Sequence, residues 1–188
     1  MREYVTLPNL LTSGNLTSGF LAIMMVFRNE LVEAAGLIAL AAVCDLLDGA
    51  VARRSGDGEN TFGTNLDSLA DLVSFGAAPA LAIYWGSLHA LPVVGLIACL
   101  AFFLCGAWRL ARFSIYKNPL YFVGCPIPTA GVLMSLLALL RPHPLLALPA
   151  ALVLGLLMIG SRPFPTLSGL RHREELSEVV EEYRQQTR

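Results

Sequence analysis

Four stretches of this chain, residues 8–27, 31–51, 65–85 and 91–113, are almost wholly apolar over a length that fits one particular solvent. A helix rises about 1.5 Å per residue, so roughly 20 residues cross a hydrocarbon core about 30 Å thick. Two shorter apolar blocks follow, 124–140 and 145–160, separated by Arg141-Pro142-His143-Pro144. That proline-rich spacer cannot continue a helix, so the pair reads as a helical hairpin with a short connection. The expected architecture is an all-α membrane protein with six transmembrane helices. Composition agrees: 55% of residues are apolar, 14% are charged, and the mean hydropathy is +0.63. Soluble domains carry about a quarter charged residues. With a net charge of −1, the chain has no electrostatic footprint for nucleic acid.

Basic residues set the orientation. Six spans divide the termini and connections into two alternating families. One holds Arg2, Arg53, Arg54, Arg109, Arg112, Lys117, Arg162, Arg171, Arg173, Arg184 and Arg188, and the other only Arg28 and Arg141. Cytoplasmic segments carry the excess of Lys and Arg, so both termini and the connection at 53–64 are expected on the cytoplasmic side of a cell membrane. A cleaved leader is not expected, because only Arg2 precedes the first apolar block and no cleavage site follows it. From Thr166 the character changes: Leu176, Val179, Val180 and Tyr183 fall at helical spacing on a Glu/Arg-rich background. This divides the chain into a membrane domain, 1–165, and a tail, 166–188, expected to form a short amphipathic helix. Cys44, Cys99, Cys105 and Cys125 form no CxxC pair and read as small buried hydrophobes.

All the aspartates lie between positions 45 and 71: Asp45, Asp48, Asp57, Asp67 and Asp71. Asp57 sits in a polar, glycine-containing connection. The others lie in or beside apolar helices, at spacings of three and four that put each pair on one helix face. Asp67 also suits a helix cap. A charge near the centre of a membrane helix costs about 2.5–3.5 kcal/mol on insertion scales, and four clustered anions repel one another. Cations neutralise such a set, and carboxylate oxygens favour Mg²⁺ or Mn²⁺ over zinc. Gly49, Ala52 and Gly63 keep the inner face of this hairpin open to a bulky ligand. Arg53 can meet a diphosphate at the cytoplasmic edge, or serve as a membrane-boundary anchor. Two metal ions beside such a gap suit phosphoryl-group transfer.

The segment DLLDGAVARRSGDGENTFGTNLDSLAD, residues 45–71, resembles the signature of the CDP-alcohol phosphotransferases, D-x2-D-G-x2-A-R-x8-G-x3-D-x3-D. Asp45, Asp48, Gly49, Ala52, Arg53, Gly63, Asp67 and Asp71 match it, with one extra residue between Arg53 and Gly63. The resemblance implies a six-helix homodimer in which the acids hold two divalent ions. It further implies that Asp71 borders the second metal and deprotonates the acceptor hydroxyl. Asn9 and Thr12, in PNLLTSGN, become candidates for contacting the cytosine nucleotide, or alternatively for satisfying backbone groups at the helix start.

Within that family, DSLADLVSFGAAPA, PNLLTSGNLTSGF and WRLARF are similar to phosphatidylserine synthases. Phosphatidylglycerophosphate synthases tend to carry proline where this chain has Ser68, which makes Ser68 a candidate in the acceptor site. The implied substrates are CDP-diacylglycerol and L-serine. Serine brings a carboxylate to a site crowded with acids, and Arg109 and Arg112, three apart, are candidates to bind it bidentately. The same arginines would suit snorkelling anchors, or an acceptor bearing phosphate, such as glycerol-3-phosphate or inositol phosphate. An archaeal ether-lipid donor fits equally. A transporter using intramembrane acids for ion coupling leaves the glycine, alanine and arginine spacing unexplained.

Overall fold

The computed structural model describes residues 6–55, 61–113, 121–160 and 163–165. Seven α-helices make up nearly all of it: α1 (Leu7–Phe27), α2 (Leu31–Ser55), α3 (Thr61–Asp71), α4 (Ala78–Gly86), α5 (Pro92–Phe113), α6 (Ile127–Leu139) and α7 (Pro144–Ile159). A π-helical segment, Leu72–Ala77, fuses α3 to α4, so Thr61–Gly86 runs as one apolar rod. Among the described residues, four helices are long and apolar enough to cross a membrane: Leu7–Phe27, Leu31–Ala52, Thr61–Gly86 and Pro92–Arg112. At about 1.5 Å per residue, the 13 residues of α6 and 16 of α7 reach only about 20 and 24 Å. The expected tail helix and the connection 56–60 lie outside the described residues.

The distribution of polarity is that of a multi-pass membrane protein. Phe20, Leu21, Met24, Phe27, Val32, Leu40, Leu96 and Leu156 are exposed on the outside. The interior is built from small residues, among them Ala22, Ala34, Ala41, Ala78, Ala130 and Ala151, around Phe75, Phe102 and Ile38. Small residues let helix backbones approach closely, which is how helices associate where lipid removes the hydrophobic drive. On α1 the buried face is polar at first, with Asn9, Thr12, Asn15 and Ser18, and becomes apolar at Ala22 and Val26.

Helix boundaries follow local chemistry. The Thr6 side chain accepts the backbone N–H of Asn9, and Pro8 sits in the first turn of α1, where its missing donor is harmless. Thr6 therefore caps α1, and Thr12 Oγ1 also reaches a backbone group of the first turn, the Pro8 carbonyl, at 3.0 Å. At the far end of α1, Asn29 turns the chain with φ 61°, and Arg141, φ 43°, does the same between α6 and α7. Arg141 Nη2 donates to Asn29 Oδ1 at 3.2 Å, so these two turns share one end of the bundle. That end carries the two isolated basic residues of the sequence, Arg28 and Arg141.

Two features were not expected. The third apolar block reads as uniform helix, but Ala78 N–H bonds to the Val73 carbonyl five residues back. Pro79 has no N–H to return to the Phe75 carbonyl and crowds it, and a widened turn relieves that conflict. The second is a two-stranded ladder, β1 (Tyr121–Val123) with β2 (Pro163–Pro165), antiparallel, with Phe122 opposite Phe164. Prolines at both ends of β2 leave Phe164 as its one backbone donor.

Candidate active site

The site forms where α2 and α3 face each other. Both pack along α1 and make few backbone contacts with one another, so their carboxylates reach across a gap. Ligand oxygens of Asp45, Asp67 and Asp71 all lie within 4.8 Å of one another. Asp45 and Asp67 are half-buried and Asp71 is buried. Asp67 stands in the interior of α3, six residues beyond its first residue Thr61, so it is not a cap. Three converging carboxylates are an oxygen-only donor set of mutually repelling anions, which a hard divalent cation fits.

The fourth acid is placed differently from the other three. Asp48 is buried, and its Oδ2 accepts a hydrogen bond of 2.7 Å from Thr12 Oγ1. It remains close enough to Asp45 and Asp71 to repel both. The Thr12 hydroxyl also lies 3.0 Å from the Pro8 carbonyl, so one hydrogen faces two acceptors. Asp71 has its own support from α1: Asn15 Nδ2 donates to Asp71 Oδ1 at 3.1 Å. Sequence reasoning missed Asn15. Its signal was the spacing of Asn9, Thr12, Asn15 and Ser18, which repeats every three residues along an otherwise apolar helix.

Gly63 has a steric reason to lack a side chain: a Cβ there would stand 3.0 Å from Asn9 Oδ1. Asn9 is thereby brought against the start of α3, beside the glycine of the acidic segment. Gly49 and Ala52 lie on α2 between Asp48 and the end of the helix, with Gly49 partly buried and Ala52 exposed. Arg53 follows on the same helix, and its side chain lies outside the described part of the structure. Ser68 donates to its own helix, to the Thr64 carbonyl at 3.1 Å.

From the opposite wall, α5 contributes Arg109, buried and close enough to attract both Asp71 and Asp45. Arg109, Arg112, Trp108, Ala111 and Ile159 line a cavity of about 430 Å³ at the end of α5. Arg112 is half-buried, and its Nη2 is buried without a hydrogen-bond partner among the described residues. The two arginines thus separate: Arg109 meets the acids as well as the cavity, while Arg112 faces the cavity and repels Arg109. Lys117 lies outside the described residues.

An acid triad across a helical gap, inside an apolar bundle and faced by a buried arginine, is a set of residues that could hold a divalent cation beside an anionic group. Residues 5–161 match the CDP-alcohol phosphatidyltransferase family, and the chain belongs to that family and is a transferase. It is 37% identical over 174 residues to archaetidylserine synthase of Methanothermobacter thermautotrophicus, covering 89% of this chain and 73% of that protein. It is 34% identical over 160 residues to CDP-diacylglycerol–serine O-phosphatidyltransferase of Bacillus subtilis, covering 85% and 89%. A protein of the same name from Methanocaldococcus jannaschii is 39% identical over 165 residues, covering 88% and 76%.

Proposed function

We propose that this protein transfers the phosphatidyl group of CDP-diacylglycerol to the hydroxyl of L-serine, giving phosphatidylserine and CMP. The observation that carries this reading is the convergence of Asp45, Asp67 and Asp71 in a chain whose relatives are named for serine transfer. The serine oxygen forms a bond to the phosphatidyl phosphorus as the bond from that phosphorus to CMP breaks. Asp71, buried at the end of α3, takes the hydroxyl proton. Asp45, Asp48, Asp67 and Asp71 would hold two divalent ions, Mg²⁺ or Mn²⁺, which supply charge neutralisation for the diphosphate and the departing CMP.

The chain's own residues do the rest. Gly49, Ala52 and Gly63 leave room for the nucleotide diphosphate, with Asn9, Thr12 and Arg53 at its edge. Arg109, within electrostatic reach of Asp71, binds the serine carboxylate with Arg112, and Ser68 borders the acceptor. A buried guanidinium at that position lets an anionic acceptor approach an acidic base. The enzyme works as a homodimer in the cell membrane, with six spans, cytoplasmic termini and a cytoplasm-facing site. The division of the basic residues supports that orientation.

The test is a transfer assay with purified protein, Mg²⁺ or Mn²⁺, and a panel of serine, glycerol-3-phosphate, inositol and inositol phosphate. One relative is named for archaetidylserine, so a CDP-activated ether lipid is run beside CDP-diacylglycerol. Serine-dependent CMP release that disappears in Asp71→Asn is the expected result. Turnover with another acceptor and none with serine would replace the acceptor, and full activity in Asp71→Asn would remove Asp71 from the base role.

A further inference from the structure

Asn15 is fully buried in the middle of α1, facing Asp71. Its amide nitrogen donates to Asp71 Oδ1 at 3.1 Å, and its amide oxygen is buried with no hydrogen-bond partner among the described residues. A carboxylate only accepts, so the nitrogen must face Asp71 and the oxygen must be the end left over. The backbone around it is fixed independently. Ser74 Oγ donates to the Asn15 carbonyl at 3.0 Å, and Ser74 is itself fully buried in the π segment just past Asp71. A buried polar atom without a partner is destabilising, whereas an apolar side chain of the same shape would fill the space without that penalty. Packing alone would therefore select against asparagine here. What the amide provides is the one bond to Asp71.

We infer that Asn15 is the positioning residue for Asp71. It occupies one carboxylate oxygen, fixes the rotation of the carboxylate, and leaves the second oxygen facing the acid cluster and the reacting hydroxyl. This rests on the reading of Asp71 as the group that takes the serine proton. The role of Asn15 is orientation; it touches neither substrate.

The experiment compares wild type, Asn15→Leu, Asn15→Gln and Asp71→Asn, each normalised to folded protein. Leucine keeps the shape and removes the donor. For Asn15→Leu, kcat should fall about ten- to a hundred-fold, the range of a charge-assisted hydrogen bond. KM for serine and for CDP-diacylglycerol should stay within about twofold, as expected when only a transition-state interaction is lost. The Tm should stay close to that of wild type, because losing the unpartnered Asn15 oxygen offsets leaving Asp71 Oδ1 without its donor. Asn15→Gln, which keeps an N–H donor on a longer arm, should retain more activity than Asn15→Leu. The inference is overturned by wild-type kcat in Asn15→Leu, by activity falling only in step with Tm, or by glutamine performing no better than leucine. Failure of Asn15→Leu to fold also overturns it, since that would make the amide structural. If Asp71→Asn is inactive while Asn15→Leu is normal, only the Asn15 inference fails; if Asp71→Asn is active, the reading of Asp71 fails first.

Discussion

Adding one methyl group to α1 should disable the site without touching an acid. A Cβ on Gly19 would stand 2.7 Å from Ser74 Cα and 2.8 Å from Ser74 Cβ. Carbon atoms rest at about 3.5–4.0 Å, so Gly19→Ala falls short by roughly 1 Å. The Ser74 hydroxyl, nearer still, could rotate, but Ser74 Cα and Cβ are fixed to the backbone of the π segment and cannot turn away. The helices must separate. Overpacking of this kind costs about 1–3 kcal/mol. The functional consequence is larger, because the Asn15–Asp71 bond lies one helical turn from the contact at 3.1 Å. An extra 1 Å takes it beyond hydrogen-bond range, and the Ser74–Asn15 bond stretches with it. Gly36→Ala is the control: a Cβ there meets nothing within 4 Å, and alanine is about 0.8–1.0 kcal/mol the better helix former. Thermal unfolding in detergent and initial rates of CMP release read the two variants. Gly19→Ala should lose Tm and at least tenfold in rate, while Gly36→Ala keeps both. Wild-type behaviour in Gly19→Ala, or equal losses in both variants, would show that the Gly19–Ser74 contact does not set the geometry at Asp71.

Other expectations concern separate parts of the molecule. Asp67→Asn should abolish turnover and weaken Mn²⁺ binding, measured by calorimetry, because it removes one of three converging carboxylates but leaves the helix intact. Arg109→Ala should raise KM for serine about ten- to a hundred-fold, the worth of a partly buried charge-assisted bond, with a smaller change for CDP-diacylglycerol. Loss of lipid affinity with serine affinity kept would assign Arg109 to the lipid phosphate. Single cysteines at positions 56–60 should be labelled from the cytoplasmic side and one at His143 from the other. Labelling of both from one side would refute the orientation.

How far the sequence carries depends on whether the determining contact is local. The four long spans follow from the length of apolar blocks, and each acid pair shares a face because the helical period is fixed. The meeting of Asp45 with Asp67 and Asp71 followed from a short connection between antiparallel helices. Spacing within α2 gives Asp45 and Asp48 the same status, yet only one joins the triad. Thr12, on another helix, takes an oxygen of Asp48, and no pattern within residues 45–71 encodes that. The π turn is similar: Pro79 was visible, but whether a helix kinks, stops or widens at proline depends on what packs there. Here α6 lies against Phe75, where a Cβ on Gly131 would come within 2.6 Å of the Phe75 carbonyl. The β1–β2 ladder joins segments some 40 residues apart, beyond the reach of any local pattern.

The contacts to the acids that the sequence left unread, Thr12 on Asp48 and Asn15 on Asp71, both come from α1. The acidic segment looks self-sufficient when read along the chain, with two helices, a connection and four carboxylates. In space its two helices scarcely touch, and α1 packs along both. The first helix therefore sets the distance between the acid pairs. Its polar face does so with individual contacts: Thr12 on Asp48 of α2, Asn15 on Asp71 of α3, and Asn9 against Gly63 at the start of α3. Asn9, Thr12 and Asn15 advance along α1 at intervals of three, and their partners alternate between the two acid helices. A cleft braced in this way keeps its width when empty, because the bracing atoms do not depend on a ligand. Buried hydroxyl and amide groups in an apolar bundle are otherwise a burden. They are retained on the face of α1 that looks onto the acids and give way to Ala22 and Val26 where that face has passed them.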